Sequence, residues 1–238
     1  MKYIACVSGG KDSIATVILA HINSEPLDEI VFSEVMFDEN ISGELPEHIE
    51  FVKSKCFPLF ETWGYKTKVL HSRETYIDCF YKVNRGKKVP ERKGMYYGFP
   101  MAGRCLINDR CKIKPIKDFV KKQDVPITQY VGIAVDEQKR LNRLNGTNKV
   151  SLLAKYGYTE QMAYDLCKEY GLLSPTYSFA HRGGAGSVLM HECQNYGICE
   201  KTIQNCGRSY WYLKKFRTQS VIVGIHLPKH QYEKLMNR

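Results

Sequence analysis

The feature that most constrains the fold is an abrupt change of pattern near the N-terminus. An apolar run at residues 3–7 stops at two adjacent glycines, and a helix-compatible stretch follows at residues 12–20. A turn between a strand and a helix directs backbone N–H groups into one small space, where the helix N-terminus adds a partial positive charge. Glycine also lets the backbone approach an anion closely. We therefore predict a phosphate site formed by Ser8, Gly9, Gly10, Lys11, Asp12 and Ser13.

Two common phosphate loops do not match this segment. The nucleotide P-loop needs a glycine five positions before its Gly-Lys pair and Ser or Thr after the lysine, but Ala5 and Asp12 stand there. The dinucleotide pattern G-x-G-x-x-G fails because Gly9 and Gly10 are adjacent. The hexapeptide instead resembles the PP-loop of the ATP-pyrophosphatase superfamily, Ser-Gly-Gly-x-Asp-Ser, whose members hold ATP or related adenylyl compounds by their phosphates. A glycine turn that only begins a helix is the alternative interpretation.

The remainder of the chain alternates between two kinds of hydrophobic pattern. Periodicity predicts strands at residues 2–7, 29–37, 66–70 and 127–133 and helices at residues 13–22, 46–63, 117–121 and 159–170, with Pro58 kinking the second helix. This alternation predicts an α/β fold with a Rossmann-like parallel sheet and helices on both faces. Ligands of such sheets bind at the carboxyl ends of the strands. The loop at 8–13 lies at one such end, and Asp38 and Asp136 follow two others.

Composition narrows the class of partner. The 238 residues carry 35 Lys or Arg against 25 Asp or Glu, a net charge of +10, with basic clusters at residues 85–93 and 104–122. This charge favours an anionic partner but does not separate ATP from RNA or DNA. The sequence has no run of eighteen apolar residues and no basic-then-apolar leader, so we expect no membrane span and a cytoplasmic location. It does not indicate an oligomeric state.

Four segments together resemble the phosphoadenosine phosphosulfate reductase family. The first is the loop at 8–13. The second runs from Asp38 to a Pro-Glu helix start at residues 46–47, and the third runs from Arg104-Cys105 to Cys111 and on to a Lys-Pro pair at residues 114–115. The fourth, residues 131–140, is similar to the family's Gly-Ile-Arg-x-Glu-Glu-Ser-x-x-Arg stretch. It departs at Ala134 and Gln138, where the family has Arg and Ser, and these departures bear on sulfonucleotide specificity.

The resemblance implies an enzyme of reduction or sulfur transfer that acts through ATP or an adenylyl sulfonucleotide, with Mg²⁺. Lys11 and Asp12 would be its catalytic residues, with Asp12 as a magnesium ligand or a helix cap. The residues that would bind the nucleotide are Ser8, Gly9, Gly10, Lys11, Asp12, Ser13, Asp38, Gly132, Asp136 and Arg140. Asp38 could instead end a strand, and Arg140 could instead pair with Asp136 at i,i+4. The alternative functions are an ATP pyrophosphatase that modifies tRNA or DNA, or an inactive remnant without its metal site.

Cys105 and Cys111 form a candidate metal site. They lie in a basic neighbourhood of Arg104, Arg110 and Lys112, which favours thiolates. Two thiolates are half of a four-cysteine iron–sulfur (4Fe-4S) or zinc site. Incidental buried thiols are the alternative.

The second cysteine pair expected from the resemblance is missing after Gly184. Related chains carry a segment like Arg-Gly-Gly-Cys-Trp-Phe-Cys-Pro-Asn, whereas Arg182-Gly183-Gly184 is followed here by Ala-Gly-Ser-Val-Leu-Met. These six residues can be written GCT GGT TCT GTC CTA ATG, which in a shifted frame reads (T)GC TGG TTC TGT CCT AAT, or Cys-Trp-Phe-Cys-Pro-Asn. We therefore expect a nucleotide-binding domain at 1–184 and an irregular, out-of-frame tail at 185–238, in which only 220–225 is a strand. A divergent in-frame tail with Cys193, Cys199 and Cys206 as ligands is the alternative, and a closed shifted frame in the coding DNA would establish it.

Overall fold

A parallel β-sheet forms the centre of the protein. The computed structural model describes residues 1–87, 90–97 and 106–178, together with the backbone of residues 210–216 and 219–227. Five parallel strands pair in the order β3-β2-β1-β4-β5. They are β1 (Lys2–Val7), β2 (Glu29–Glu34), β3 (Lys66–His71), β4 (Ile127–Val131) and β5 (Lys149–Val150). The predicted α/β class and the parallel sheet are confirmed.

Helices connect these strands. In chain order they are α1 (Lys11–Ile22), α2 (Pro46–Glu50), α3 (Phe57–Thr62), α4 (Tyr76–Phe80), α5 (Lys114–Lys121), α6 (Gln138–Leu141), α7 (Leu152–Lys155) and α8 (Glu160–Glu169). Short 3₁₀ turns occur at Pro90–Arg92, Asn142–Leu144 and Pro175–Ser178. Two π-helical turns, Phe51–Cys56 and Asn108–Ile113, lie directly before α3 and α5.

Both π-helical turns precede a proline inside a continuous helical segment. Pro58 and Pro115 each stand in the first turn of the α-helix that follows. Proline has no N–H to donate and its ring crowds the carbonyl four residues earlier, and a wider turn before it relieves that conflict. Residues 46–62 are therefore helical throughout, as predicted, and the predicted helix at 117–121 begins earlier, before Pro115.

The two faces of the sheet are covered by different helices. Helix α1 buries eight consecutive residues, 13–20, against β1, β4 and the helices α7 and α8. Such complete burial explains why its apolar pattern extends all round the helix. On the other face, α5 packs Phe119 over Ile4, Val31 and Ile127. The sheet is therefore buried between helical layers, as an all-parallel sheet requires.

The strand order creates a crevice beside β1. The chain runs from β1 outward to β2 and β3, and then returns to β4 on the other side of β1. The connections after β1 and β4 thus leave in opposite directions, and ligands of open α/β sheets bind at such a reversal. The loops that meet there are 8–10 and 132–137, both of which the sequence singles out.

The described residues of the tail form an antiparallel pair, β6 (Tyr210–Phe216) with β7 (Gln219–Leu227). The predicted strand at 220–225 lies within β7, whereas β6 was not predicted. The predicted metal ligand Cys105, the frame boundary at Gly184 and the alternative ligands at 193, 199 and 206 lie outside the described residues. No helix of the described residues combines the length and the apolar character that crossing a membrane requires.

Candidate functional site

The loop after β1 is shaped by its own two serines. The Ser13 hydroxyl donates to the Gly10 carbonyl at 2.8 Å, and the Ser8 N–H donates to the Ser13 Oγ at 3.1 Å. Gly10 is the N-cap of α1 and has no side chain that could form a capping hydrogen bond. The Ser13 hydroxyl, in the first turn, instead connects the two ends of the loop. Within the described part of the chain, the N–H groups of Gly9 and Asp12 make no hydrogen bond. The loop is therefore preformed and presents open donors at the positive end of a twelve-residue helix.

One donor of the loop is already occupied by a distant tyrosine. The Lys11 N–H donates to the Tyr177 hydroxyl at 3.0 Å, and this oxygen lies 3.4 Å from where a Cβ on Gly10 would stand. A phenolic oxygen thus occupies a place that suits a phosphate oxygen. The sequence held no signal for this contact, because 166 residues separate the two partners.

Two glycines permit close approaches that any side chain would prevent. Gly9 has φ +75°, and a Cβ there would stand 2.6 Å from the His48 ring and from the Val52 side chain. A Cβ on Gly132 would stand 2.6 Å from the backbone of both Asp12 and Ser13. Gly132 was predicted as a nucleotide contact; here it allows the end of β4 to lie against the start of α1.

A buried histidine fixes the loop from below. His48 is completely buried in α2, and its Nε2 lies 2.9 Å from the carbonyl oxygen of Ser8. A carbonyl only accepts, so Nε2 carries the proton, and Nδ1 accepts from the Ser174 hydroxyl at 2.9 Å. The Ser174 hydroxyl in turn contacts that of Thr176 at 3.0 Å. Burial lowers the pKa of His48, which keeps it neutral and suits this network.

Sequence reasoning missed His48 although it directly follows the Pro-Glu helix start at residues 46–47. Nearby, Glu44 is buried and its carboxylate pairs with the Lys112 ammonium at 2.9 Å. This ion pair joins the second and third segments of the resemblance. The negative charge of Glu44 also acts to raise the pKa of His48, against the larger effect of burial. The three segments are therefore in physical contact around the loop.

Lys11 is surrounded by carboxylates. Its ammonium lies 2.8 Å from Asp12 Oδ1 and 2.9 Å from Glu160 Oε2. Burial acts to lower the pKa of Lys11, but these two hydrogen bonds outweigh it and raise the pKa above its ordinary value. Burial raises the pKa of Asp12, Lys11 opposes this, and the charges of Glu160 and Glu137 add to the rise. The interpretation of Asp12 as the helix cap is wrong, because Gly10 is the N-cap and Asp12 lies in the first turn behind it.

The predicted residues after β4 mainly stabilise their own turn. Asp136 accepts the Glu160 N–H at 3.3 Å, next to the Thr159 cap of α8. The alternative i,i+4 pair of Arg140 with Asp136 is not formed, because Arg140 pairs with Glu137 at i,i+3, and its contact with a phosphate stays a prediction. Glu137 also accepts the Ala134 N–H at 3.2 Å. Glu137 thus ties the turn together, and its charge acts on Asp12 in the first turn of α1.

Asp38 closes a turn beyond the end of β2. Its Oδ1 accepts the N–H groups of Asn40 and Ile41, both at 2.8 Å. Strand β2 ends at Glu34, three residues short of the predicted end, because Met36 bridges to Ser42 within this turn. The alternative that Asp38 ends a strand is wrong, because β2 ends four residues earlier and Asp38 lies in the turn. Its contact with a ribose or an adenine stays a prediction.

Cys111 lies in a buried apolar cluster with another cysteine. Its sulfur is 3.8 Å from that of Cys79 and donates to the Glu74 carbonyl at 3.3 Å. The contact with the Cys111 sulfur lowers the pKa of Cys79. Tetrahedral zinc with Zn–S of about 2.3 Å places its sulfurs about 3.8 Å apart, so the pair is compatible with two of four zinc thiolates. No group of three or more candidate metal ligands occurs among the described residues, and the cluster at Cys105 and Cys111 stays a prediction.

The comparisons with known proteins add no relative. No family model matches the chain, and no curated protein matches it. The resemblance to the reductase family therefore rests on the four quoted segments.

Proposed function

We propose that this protein binds the phosphates of MgATP on the loop 8–13 and releases pyrophosphate while transferring the adenylyl group to an acceptor. The observation that carries the proposal is the preformed loop: open N–H groups of Gly9 and Asp12 at a helix N-terminus, in the crevice where the strand order reverses. His48 and Gly132 hold that loop from two sides without occupying its mouth.

The charges around Lys11 favour ATP with magnesium over a sulfonucleotide alone. Asp12 and Glu160 are two carboxylates that share the single ammonium of Lys11, and the charge of Glu137 also acts on Asp12. A bare polyanion would meet repulsion there, whereas Mg²⁺ is commonly held by one or two carboxylates together with substrate phosphates. Asp12 and Glu160 are the residues that would hold it. A metal that arrives with the nucleotide needs no preformed set of three protein ligands, in keeping with the described residues.

The chemistry is a substitution at the α-phosphorus. A nucleophilic oxygen of the acceptor forms a bond to this atom, the bond from it to the bridging oxygen breaks, and pyrophosphate leaves with the electron pair. Bound magnesium would offset the charge of the phosphates. The protein contributes position and charge: the loop amides orient the phosphates, and Lys11 stabilises the negative charge that accumulates on the leaving group.

Replacement of Lys11 tests the site. Lys11→Ala removes a charged donor and leaves Asp12 and Glu160 facing the phosphates. A charged hydrogen bond is worth about 1.5–3 kcal/mol, so we expect ATP affinity in calorimetry to fall by about ten- to hundredfold. Lys155→Ala is the control, because Lys155 also forms an ion pair, with Glu25, but lies at the end of α7 and outside the loop 8–13. Unchanged ATP affinity in Lys11→Ala would refute the site.

A second measurement separates the nucleotides. We expect ATP to bind with Mg²⁺ and to lose most of its affinity in EDTA, while adenosine 5′-phosphosulfate binds weakly in both. Equal or tighter binding of the sulfonucleotide without Mg²⁺ would favour the second candidate, reductive chemistry on that substrate. The Cys79–Cys111 pair supports this candidate. It lies against the strand next to β1, because the Ser33 hydroxyl on β2 donates to the Cys111 carbonyl at 3.1 Å.

A further inference from the structure

A basic pocket lies on the face of the sheet that α5 covers. Its volume is about 700 Å³, and it opens between the edge strand β3, the turn that follows it, and one side of α5. Six Lys or Arg line it against two carboxylates, Glu74 and Asp118. The cationic residues are Lys68, Arg73, Arg110, Lys114, Lys121 and Lys122.

Most of this positive charge is not neutralised locally. Lys114 pairs with Asp118 at 2.5 Å, and Arg110 pairs with Glu74 at 3.5 Å. The other four cations, Lys68, Arg73, Lys121 and Lys122, form no ion pair within the described part of the chain. Four like charges held around one pocket repel each other, and an anionic ligand relieves that repulsion.

The cations are spread along a line. Arg110 and Lys122 stand twelve residues apart in one continuous helical segment, which corresponds to about 18 Å at 1.5 Å per residue. A single phosphate needs donors that converge on one point, whereas a polymer of phosphates needs charges at intervals. The aromatic ring of Phe119 lines the same pocket beneath Lys68, whose ammonium is 5.1 Å from the ring centroid. The ring also packs onto the sheet and lies 5.7 Å from the Lys2 ammonium, so it supports the cations of the groove and does not offer a free stacking face. Charges spaced along a groove are what the backbone of a nucleic-acid strand requires.

The Arg73 end of the groove and the phosphate loop share one edge of the sheet. Val7 of β1 is in register with Phe32 of β2, and Phe32 is in register with Val69 of β3. Neighbouring strands lie about 4.8 Å apart, so the loop after β1 and the turn after β3 leave the sheet about 10 Å from each other. A ligand at the Arg73 end of the groove therefore lies within one or two nucleotides of bound ATP, and the groove leads from there along α5 toward the start of β1.

We propose that this groove, defined by Lys68, Arg73, Arg110 and the basic side of α5, binds the phosphodiester backbone of a polynucleotide, the acceptor of the adenylyl group. The acceptor role depends on the proposed function, whereas the binding itself does not. The backbone supplies the negative charge at regular intervals.

Binding is tested on the full chain with fluorescently labelled single-stranded RNA and DNA of the same sequence. The double variant Lys121→Ala/Lys122→Ala removes two unpaired cations of the groove. The control Lys55→Ala/Lys168→Ala removes two exposed cations from the opposite face, at the same net charge. We expect the groove variant to bind about tenfold more weakly or worse, and its slope of log affinity against log salt to become shallower by about 1.4 to 1.8. The control should match the wild type.

The outcomes distinguish this inference from the proposed function. Whichever polymer loses affinity only in the groove variant is the ligand class. No binding of either polymer, or equal loss in the groove and control variants, would overturn the groove. Calorimetry with MgATP is run on the same variants, and unchanged ATP affinity there leaves the nucleotide site intact whatever the polymer result. Pyrophosphate release that the bound polymer does not increase would overturn its role as acceptor.

Discussion

Replacement of Gly132 by alanine tests whether close backbone packing shapes the phosphate loop. The added Cβ would stand 2.6 Å from the Asp12 carbonyl carbon and from the Ser13 nitrogen, whereas ordinary contact begins near 3.4 Å. The start of α1 must therefore move by about 0.8 Å away from β4. Both obstructing atoms are backbone, so no side-chain rotation can relieve the clash. Overpacking of this kind costs about 1–3 kcal/mol, which corresponds to a fall in Tm of about 2–12 °C in a chain of this size.

The same shift displaces the Asp12 N–H from the mouth of the loop. Loss of one hydrogen bond to a charged phosphate, about 1.5–3 kcal/mol, would weaken MgATP binding by about ten- to hundredfold. Gly64→Ala is the matched control: Gly64 has φ +90° and no neighbour within 4 Å of the added Cβ, so it loses stability through backbone strain far from the loop. Thermal unfolding and calorimetry on both variants separate the two effects. If Gly132→Ala keeps the wild-type Tm and ATP affinity, the packing argument is wrong.

Two further predictions concern the residues that hold the loop. The pKa of His48 is lowered by burial, so below its ordinary value of 6.5 the unfolded chain binds a proton that the folded chain does not, and the free energy of unfolding should fall as the pH falls through this window. Urea unfolding across this range should show a weaker pH dependence in His48→Gln, and equal slopes would contradict the assignment. Tyr177→Phe removes the hydroxyl that accepts the Lys11 N–H, which frees a donor for phosphate. We expect ATP affinity to rise about fivefold, the equivalent of about 1 kcal/mol, and a fall in affinity would mean that the hydroxyl contacts the nucleotide.

The fold class could be predicted from the sequence because the patterns that indicate it are local. A strand, a glycine turn and a helix follow each other within residues 2–22, and hydrophobic periodicity depends on spacing alone. The π-helical turns before Pro58 and Pro115 could not be predicted from the sequence, because such a turn does not change the spacing of apolar residues in a recognisable way.

The sequence by itself determined which segment can hold a phosphate, since glycines, a lysine and a helix start suffice for that chemistry. Only the tertiary structure decided how the loop is held and what surrounds it. His48 contacts Ser8 across 40 residues, and Glu160 contacts Lys11 across 149. Gly132 has an ordinary backbone conformation, so only the nearness of α1 explains the absence of a side chain. These partners meet because the parallel sheet brings the ends of distant strands to one edge, and the spacing of residues along the chain does not encode that meeting.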